Sequence, residues 1–212
     1  MEFNLPMISQ SQISNSRGFT YPKALRSLMR QDPEAIMIGE IRDPETAAIA
    51  VQAGLTGHMV ISTIHSDSTV GVYARLINMD IEPFLLASSI TGVLGLRLLR
   101  TICPRCKTKA QPNPEHLTLL PEAFVEETTF YTGTGCDSCS QTGYLGRVAV
   151  TELLNSSEPL REGVIQKLRT SKLLDIAIEH GMTTLWQNGM AKVQRGITSL
   201  DEVIRVITVN QL

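Results

Sequence analysis

Ala35-Ile36-Met37-Ile38-Gly39-Glu40-Ile41-Arg42-Asp43-Pro44-Glu45 is the stretch on which the fold turns. Four apolar residues in an unbroken run are consistent with a strand buried on both faces. The run ends at Gly39-Glu40. Asp43 then supplies a helix N-cap, and Pro44 suits the first helical position. Upstream, Ala24, Leu25, Leu28 and Met29 space a helix over Tyr21 to Arg30, and Asp32-Pro33 stops it because a proline disfavours helical geometry in the residue before it. Downstream, Gly54 and Gly57 bracket the end of the capped helix, and Met59-Val60-Ile61-Ser62-Thr63-Ile64 reads as a second buried strand ending at His65. Two buried strands joined by a helix form a βαβ unit, so a parallel sheet in an α/β fold is expected. In such sheets the chemistry collects at the carboxyl ends of the strands, where Glu40 and His65 both fall.

A carboxylate directly after a buried strand sits against a low-dielectric wall, where it can order an attacking or metal-bound water, as in phosphoryl-transfer sites. A capping role or a pair with Arg42 is the plainer alternative. Arg26 and Arg30 are four apart and share a face of one helix. With Arg42 they are candidates for phosphate contacts, since guanidinium is the natural bidentate partner of phosphate. Pairing with Asp32, Glu34 or Asp43 is the competing reading. His58 and His65 flank the second strand, and each is equally consistent with a satisfied polar residue at a strand end.

The chain has 212 residues, 42% of them hydrophobic and 19% charged, with net charge −2. That length supports one sizeable core and a small satellite, and the charge gives no nucleic-acid or anionic-membrane signal. The longest uncharged apolar stretch lies between Glu82 and Arg97. Its 14 residues are too few to span a bilayer, so it reads as a buried core helix with no transmembrane segment expected. Three regions differ in texture: residues 1–102 carry the α/β pattern, 103–147 carry all four cysteines with few aliphatics, and 148–212 open with a strand and turn helical. Amphipathic helices are expected over Glu158 to Arg169, Leu173 to His180, Thr184 to Arg195 and Leu200 to Val206, with Trp186 and Met190 in the core.

Cys103-Pro104-Arg105-Cys106 and Cys136-Asp137-Ser138-Cys139 are two C-x-x-C pairs with 29 residues between them. Two such turns close a tetrahedral Zn²⁺ site, and with all four positions filled by thiolate the ion is structural. Arg105, Lys107, Lys109 and Arg147 are placed to offset the formal charge. Two disulfides or a redox pair are the alternative, disfavoured because no export signal precedes the cysteines.

Leu25 to Asp43 resembles, residue after residue, the Walker B segment of the secretion-ATPase superfamily, which powers type II secretion and type IV pilus assembly. Gly54 to Ser66 resembles its histidine box. The likeness continues through Arg75-Leu76-Ile77, Ile81-Glu82-Pro83-Phe84 and Arg97-Leu98-Leu99-Arg100 to the cysteines, and Gly146 to Leu154 resembles its return strand. The resemblance implies part of a RecA-like phosphate-loop ATPase core with a zinc-knuckle insertion and a helical C-terminus. It implies ATP and Mg²⁺ as cofactors, with Zn²⁺ in the tetracysteine element found in extension and secretion ATPases. Glu40 would activate the attacking water, and Gly39 stands where the Walker B aspartate is usual. His65 would sense the γ-phosphate region with His58 supporting it, and Arg26, Arg30 and Arg42 would serve phosphate or subunit contacts. The implied setting is a homohexamer in the cytoplasm, acting on an inner-membrane secretion or pilus platform, with no nucleic-acid partner. The wording of Gln52 to Gly57 leans toward the type II branch.

No G-x-x-x-x-G-K-[ST] occurs in the sequence, and Gly92-Val93-Leu94-Gly95 lacks the Lys and the Ser or Thr that hold phosphate and Mg²⁺. Met1 to Pro6 resembles the tail of the family's acidic box, with Glu2 its last acidic residue. Met1 is therefore expected to lie within a longer reading frame. The chain alone is expected not to turn over ATP, and to expose apolar sheet surface. The alternative reading is a truncated, zinc-stapled interaction module. A free-standing zinc-ribbon nucleic-acid binder fits the cysteines but not the charge.

Overall fold

The computed structural model describes residues 5–207, so the acidic-box reading of Met1 to Pro6, Glu2 included, lies almost wholly outside the described residues. The chain divides into two compact units. One comprises residues 1–91 with 156–173, the other 92–155 with 174–212.

In the first unit, α1 (Tyr21–Leu28) leads into β1 (Ala35–Ile38), α2 (Pro44–Leu55) and β2 (Met59–Ser62). The strands pair in parallel, Ala35 opposite Met59 and Ile38 opposite Ser62, so the expected βαβ unit forms. Asp43 caps α2 as read: its carboxylate accepts from the Thr46 amide and hydroxyl, both at 2.8 Å. Strand alternation then decides which side chains enter the core. Ile36 and Ile38 point inward onto Leu25, Ile49 and Ala50, with Tyr21, Ile41 and Val60 packed around them. Met37, Met59 and Ile61 point outward and are 75%, 57% and 54% exposed. Burial on both faces, expected from the apolar runs, is therefore not what the sheet shows. Helices cover one face, and the other leaves apolar surface open. The helix after the Tyr21 pattern also ends at Leu28, earlier than the spacing predicts. Arg30 lies past it in a turn, its amide on the Ser27 carbonyl at 3.2 Å, so Arg26 and Arg30 do not share a helix face. The unit continues through α3 (Gly71–Ile77) and α4 (Pro83–Ser89). It is completed by α7 (Glu158–Ile165), whose buried Leu160 and Val164 are on the helix packed against α4.

In the second unit, β3 (Gly92–Ile102) pairs antiparallel with β6 (Tyr144–Asn155), Gly92 opposite Asn155 and Leu99 opposite Val148. The single helix expected between Glu82 and Arg97 is thus half helix and half strand. Ile90 and Thr91 are β-branched and resist helical χ1 geometry, and Gly92 and Gly95 weaken a helix further. Leu94, Leu96 and Leu98 then alternate as a strand should. Residues 103–147 lie wholly inside this unit. They form β4 (Lys107–Lys109), two short helices α5 (Pro114–Leu117) and α6 (Glu122–Glu127), and β5 (Tyr131–Gly133), which pairs antiparallel with β4. After α8 (Thr170–Glu179), which begins in the first unit, come α9 (Leu185–Gln194) and α10 (Leu200–Val206). Their buried Leu185, Met190, Val193, Leu200 and Val203 pack with Leu99, Val150 and Phe130, and Trp186 borders this core. Among the described residues no helix is long and apolar enough to cross a membrane.

Candidate functional site

Glu40 leaves the carboxyl end of β1 with its side chain 18% exposed. Its two oxygens have different surroundings. Oε2 accepts from Nε of Arg42 at 2.6 Å. Oε1 is shut off from solvent and accepts no hydrogen bond from the described residues, while Nε2 of His65 stands 3.1 Å away. The Arg42 hydrogen bond, opposed by desolvation and helped by the charges of Arg42 and His65, holds the Glu40 carboxyl below the usual carboxylate range. The group is therefore ionised at neutral pH, with one oxygen anchored and the other turned toward a histidine that is 90% exposed. A carboxylate so held can accept a proton or orient a water on its free oxygen.

The backbone around Glu40 is held from the neighbouring strand. Thr63, one residue past β2, donates its hydroxyl to the Gly39 carbonyl at 2.8 Å, and its own carbonyl accepts from the Ile41 amide at 2.9 Å. A Cβ on Gly39 would stand 3.0 Å from the Tyr21 hydroxyl, a tight contact to which the phenol would have to yield. Neither Thr63 nor Tyr21 stands out in the sequence reading. Only the position of Thr63 two residues before His65 could have flagged it.

The other sequence-selected residues fall elsewhere. His58 is half-buried at the end of α2, its Nδ1 3.2 Å from the Ala53 carbonyl and 3.2 Å from the Thr56 hydroxyl. Arg26 pairs with Glu45 at 3.1 Å on exposed surface, rather than with Asp32, Glu34 or Asp43. Arg30 is exposed. Arg42 is 77% exposed and committed to Glu40.

In the second unit the four cysteines converge. Their sulfurs all lie within 4.8 Å of one another, with Cys103 to Cys136 and Cys106 to Cys139 each 3.9 Å and Cys136 to Cys139 3.7 Å. Four sulfurs each about 2.3 Å from a central Zn²⁺ stand roughly 3.8 Å apart, so this donor set fits a tetrahedral zinc. The thiols are free, and these separations are far beyond a disulfide bond. Burial pushes the Cys106 thiol up to about 11. Burial also opposes ionisation of Cys139, but the amides of Cys136 and Gly143, each 3.3 Å from its sulfur, bring it down to about 6. Gly133 and Gly143 cross so closely that a Cβ on Gly133 would overlap the Gly143 carbonyl, which is why no side chain fits there. Lys107 was placed by sequence as a counter-charge to the thiolates. Its ammonium instead donates to the Gly196 carbonyl at 2.7 Å and lies over the Tyr131 ring at 4.3 Å.

The second unit also holds a buried carboxylate in an ion cluster with no clear signature in the sequence. The Glu202 side chain is fully buried and accepts from the Arg100 amide at 2.9 Å, from two Arg100 guanidinium nitrogens at 3.0 and 2.7 Å, and from two of Arg205 at 2.8 Å each. Against the desolvation that raises it, these donors bring the Glu202 carboxyl down to about 2. The Arg100 guanidinium also lies 4.2 Å from the centre of the Tyr144 ring.

Residues 1–205 match the family described as Type II/IV secretion system protein. Over 206 residues the chain is 43% identical to the type II secretion system ATPase E of Vibrio cholerae, covering 97% of this chain and 41% of that protein. It is 42% identical to the type IV pilus assembly ATPase PilB of Thermus thermophilus, covering 96% of this chain and 23% of that one. The chain thus spans less than half the length of either relative. Among solved structures, the Yersinia pseudotuberculosis ATPase DotB shares the fold with a TM-score of 0.65 at 20% identity, over 94% of this chain and 43% of that one. The pilus retraction motor PilT with bound ADP does so at 0.61 and 22%, over 88% and 43%. The family match over nearly the whole chain, together with this shared α/β fold, shows that the protein belongs to the type II/IV secretion system protein family.

Proposed function

We propose that this chain supplies the Walker B glutamate, the histidine box and a zinc-stapled element to a hexameric cytoplasmic ATPase that drives type II secretion or type IV pilus assembly. The observation that carries the reading is the Glu40 carboxylate. It is ionised, fixed by Arg42 on one oxygen and without a hydrogen bond on the other, at the carboxyl end of a parallel strand. Placed beside the γ-phosphate of Mg-ATP, that unpaired oxygen accepts a proton from the attacking water once the site admits it, and His65 lies within reach of the same oxygen. The ATP itself needs a phosphate-binding loop, and the 212 residues contain no such sequence. Turnover therefore requires a loop supplied from upstream in the same reading frame, and the subunit works in a ring that engages an inner-membrane platform. Zn²⁺ held by Cys103, Cys106, Cys136 and Cys139 is a staple and takes no part in the chemistry.

A second reading, carried by the four-sulfur cluster, is a non-catalytic, zinc-stapled module that joins rings of such ATPases. The DNA upstream of the Met1 codon separates the two. An in-frame acidic box preceded by a Gly-rich loop ending in Lys-Ser or Lys-Thr supports the motor. A stop codon or unrelated sequence supports the module. Mg-ATP turnover by the 212-residue chain alone at the rate of a full-length relative overturns the requirement for an upstream loop.

A further inference from the structure

We infer that Thr63 is a positioning residue, which fixes the Glu40 carboxylate by clasping the main chain on both sides of it. The inference rests on the reading of Glu40 as the water-orienting group and names the part that aims it. β1 ends at Ile38 and β2 at Ser62, so regular strand pairing stops just before the site. Beyond that point Thr63 makes two contacts with the opposite segment. Its hydroxyl donates to the carbonyl of Gly39, and its carbonyl accepts from the amide of Ile41. Glu40 is the single residue between those two anchors. Two positions after Thr63, the His65 ring reaches Oε1 of Glu40 at 3.1 Å. One short segment thus grips the backbone of Glu40 and faces its side chain.

The need for a clasp follows from the residue before Glu40. Gly39 has no side chain to pack, and its backbone is free of the restraint a Cβ imposes. A Cβ there would crowd the Tyr21 hydroxyl at 3.0 Å. Glycine at this point removes a steric hold on the chain, and the Thr63 hydroxyl supplies a directed one. Without it, the Gly39–Glu40 peptide gains freedom to rotate and the carboxylate loses its fixed relation to Arg42 and His65.

The test uses the 212-residue chain and does not need nucleotide. Carbon-13 NMR of glutamate-labelled protein follows the Glu40 carboxyl, assigned with Glu40→Gln, through an acid titration. In the wild type it is expected to titrate below the ordinary range. Thr63→Val removes the hydroxyl at constant shape and is expected to move the titration upward to the ordinary range, whereas Thr63→Ser is expected to keep the wild-type value. Thr63→Ala serves in the same way should the valine variant fail to fold. An unchanged Glu40 titration in the variants lacking the hydroxyl overturns the inference, as does a serine variant that behaves like valine. In the complete reading frame, Thr63→Val is expected to lower kcat by up to about a hundredfold with little change in KM for ATP, the cost of a misplaced reacting group. The two failures are distinguishable. A titration that ignores Thr63 removes the clasp and leaves the ATPase reading intact. A complete reading frame without ATPase activity removes that reading while the titration still reports the clasp.

Discussion

Glu202→Gln measures how much the buried ion cluster contributes to the second unit, and the structure sets both its size and its pH dependence. The Glu202 carboxyl sits at about 2 in the folded protein against an ordinary 4.5. At about 1.36 kcal/mol for each tenfold change in proton affinity, that difference corresponds to roughly 3 kcal/mol of preference for the ionised native state. Glu202 itself is closed to solvent, but the Arg100 and Arg205 side chains are 43% and 57% exposed. Screening of those partners brings the expected loss on removing the charge to about 2 kcal/mol. The sign follows from the direction of the shift. A carboxyl depressed in the native state adds stability that is present in full above the unfolded value. That stability disappears as pH falls through the window between 4.5 and about 2. Trp186 is the chain's sole tryptophan and borders the core of this unit, so its fluorescence in urea reports on the unit that holds the cluster. The stability difference between wild type and Glu202→Gln is expected to be near its full value at pH 7 and to shrink toward zero at pH 2. Zinc thiolates also protonate in acid, but they do so in both proteins and cancel in the difference. A difference that is as large at pH 2 as at pH 7, or below about 0.5 kcal/mol at pH 7, refutes the electrostatic account and reduces Glu202 to a packing residue.

Native mass spectrometry is expected to find one Zn²⁺ per chain, and Cys136→Ser to lose it; because ligand assembly and folding are coupled, chelation is expected to lower the urea midpoint reported by Trp186. Asp43→Ala removes the acceptor for the Thr46 amide and hydroxyl, and is expected to destabilise α2 by about 1 kcal/mol. Hydrogen exchange of the first-turn amides of α2 checks this, and unchanged protection there contradicts the capping role.

The parts of this molecule that local chemistry decides are legible in its sequence. Asp43-Pro44 announces α2, the apolar run Ala35 to Ile38 is β1, and the two C-x-x-C pairs come together as one four-sulfur cluster. Burial and long-range pairing are less legible. An apolar run does not say which of its residues face a covering helix, so the exposure of Met37, Met59 and Ile61 could not be read from it. The stretch between Glu82 and Arg97 is apolar enough for a buried helix, and only its glycines and β-branched residues mark the change to strand. Lys107 beside Cys106 looks like a counter-charge, yet its reach lets it bond the Gly196 carbonyl, which is 89 positions away in sequence. Glu202 looks like one of two acids in a solvated first turn, where Asp201 and Glu202 would both favour the helix dipole. That it is buried under Arg100, 102 positions away, belongs to the tertiary structure alone. The same holds for Thr63, whose contact with Gly39 spans 24 positions.

The most direct test of the central claim is single-turnover hydrolysis of Mg-ATP by the complete reading frame carrying Glu40→Gln, compared with wild type. The amide keeps the shape of the carboxylate but cannot take a proton from water. The variant is expected to bind ATP as well as wild type and to hydrolyse it at least about a hundredfold more slowly, the usual range for loss of a general base. Hydrolysis by Glu40→Gln at the wild-type rate contradicts the assignment of Glu40, and with it the reading of this site as the catalytic centre of a secretion ATPase.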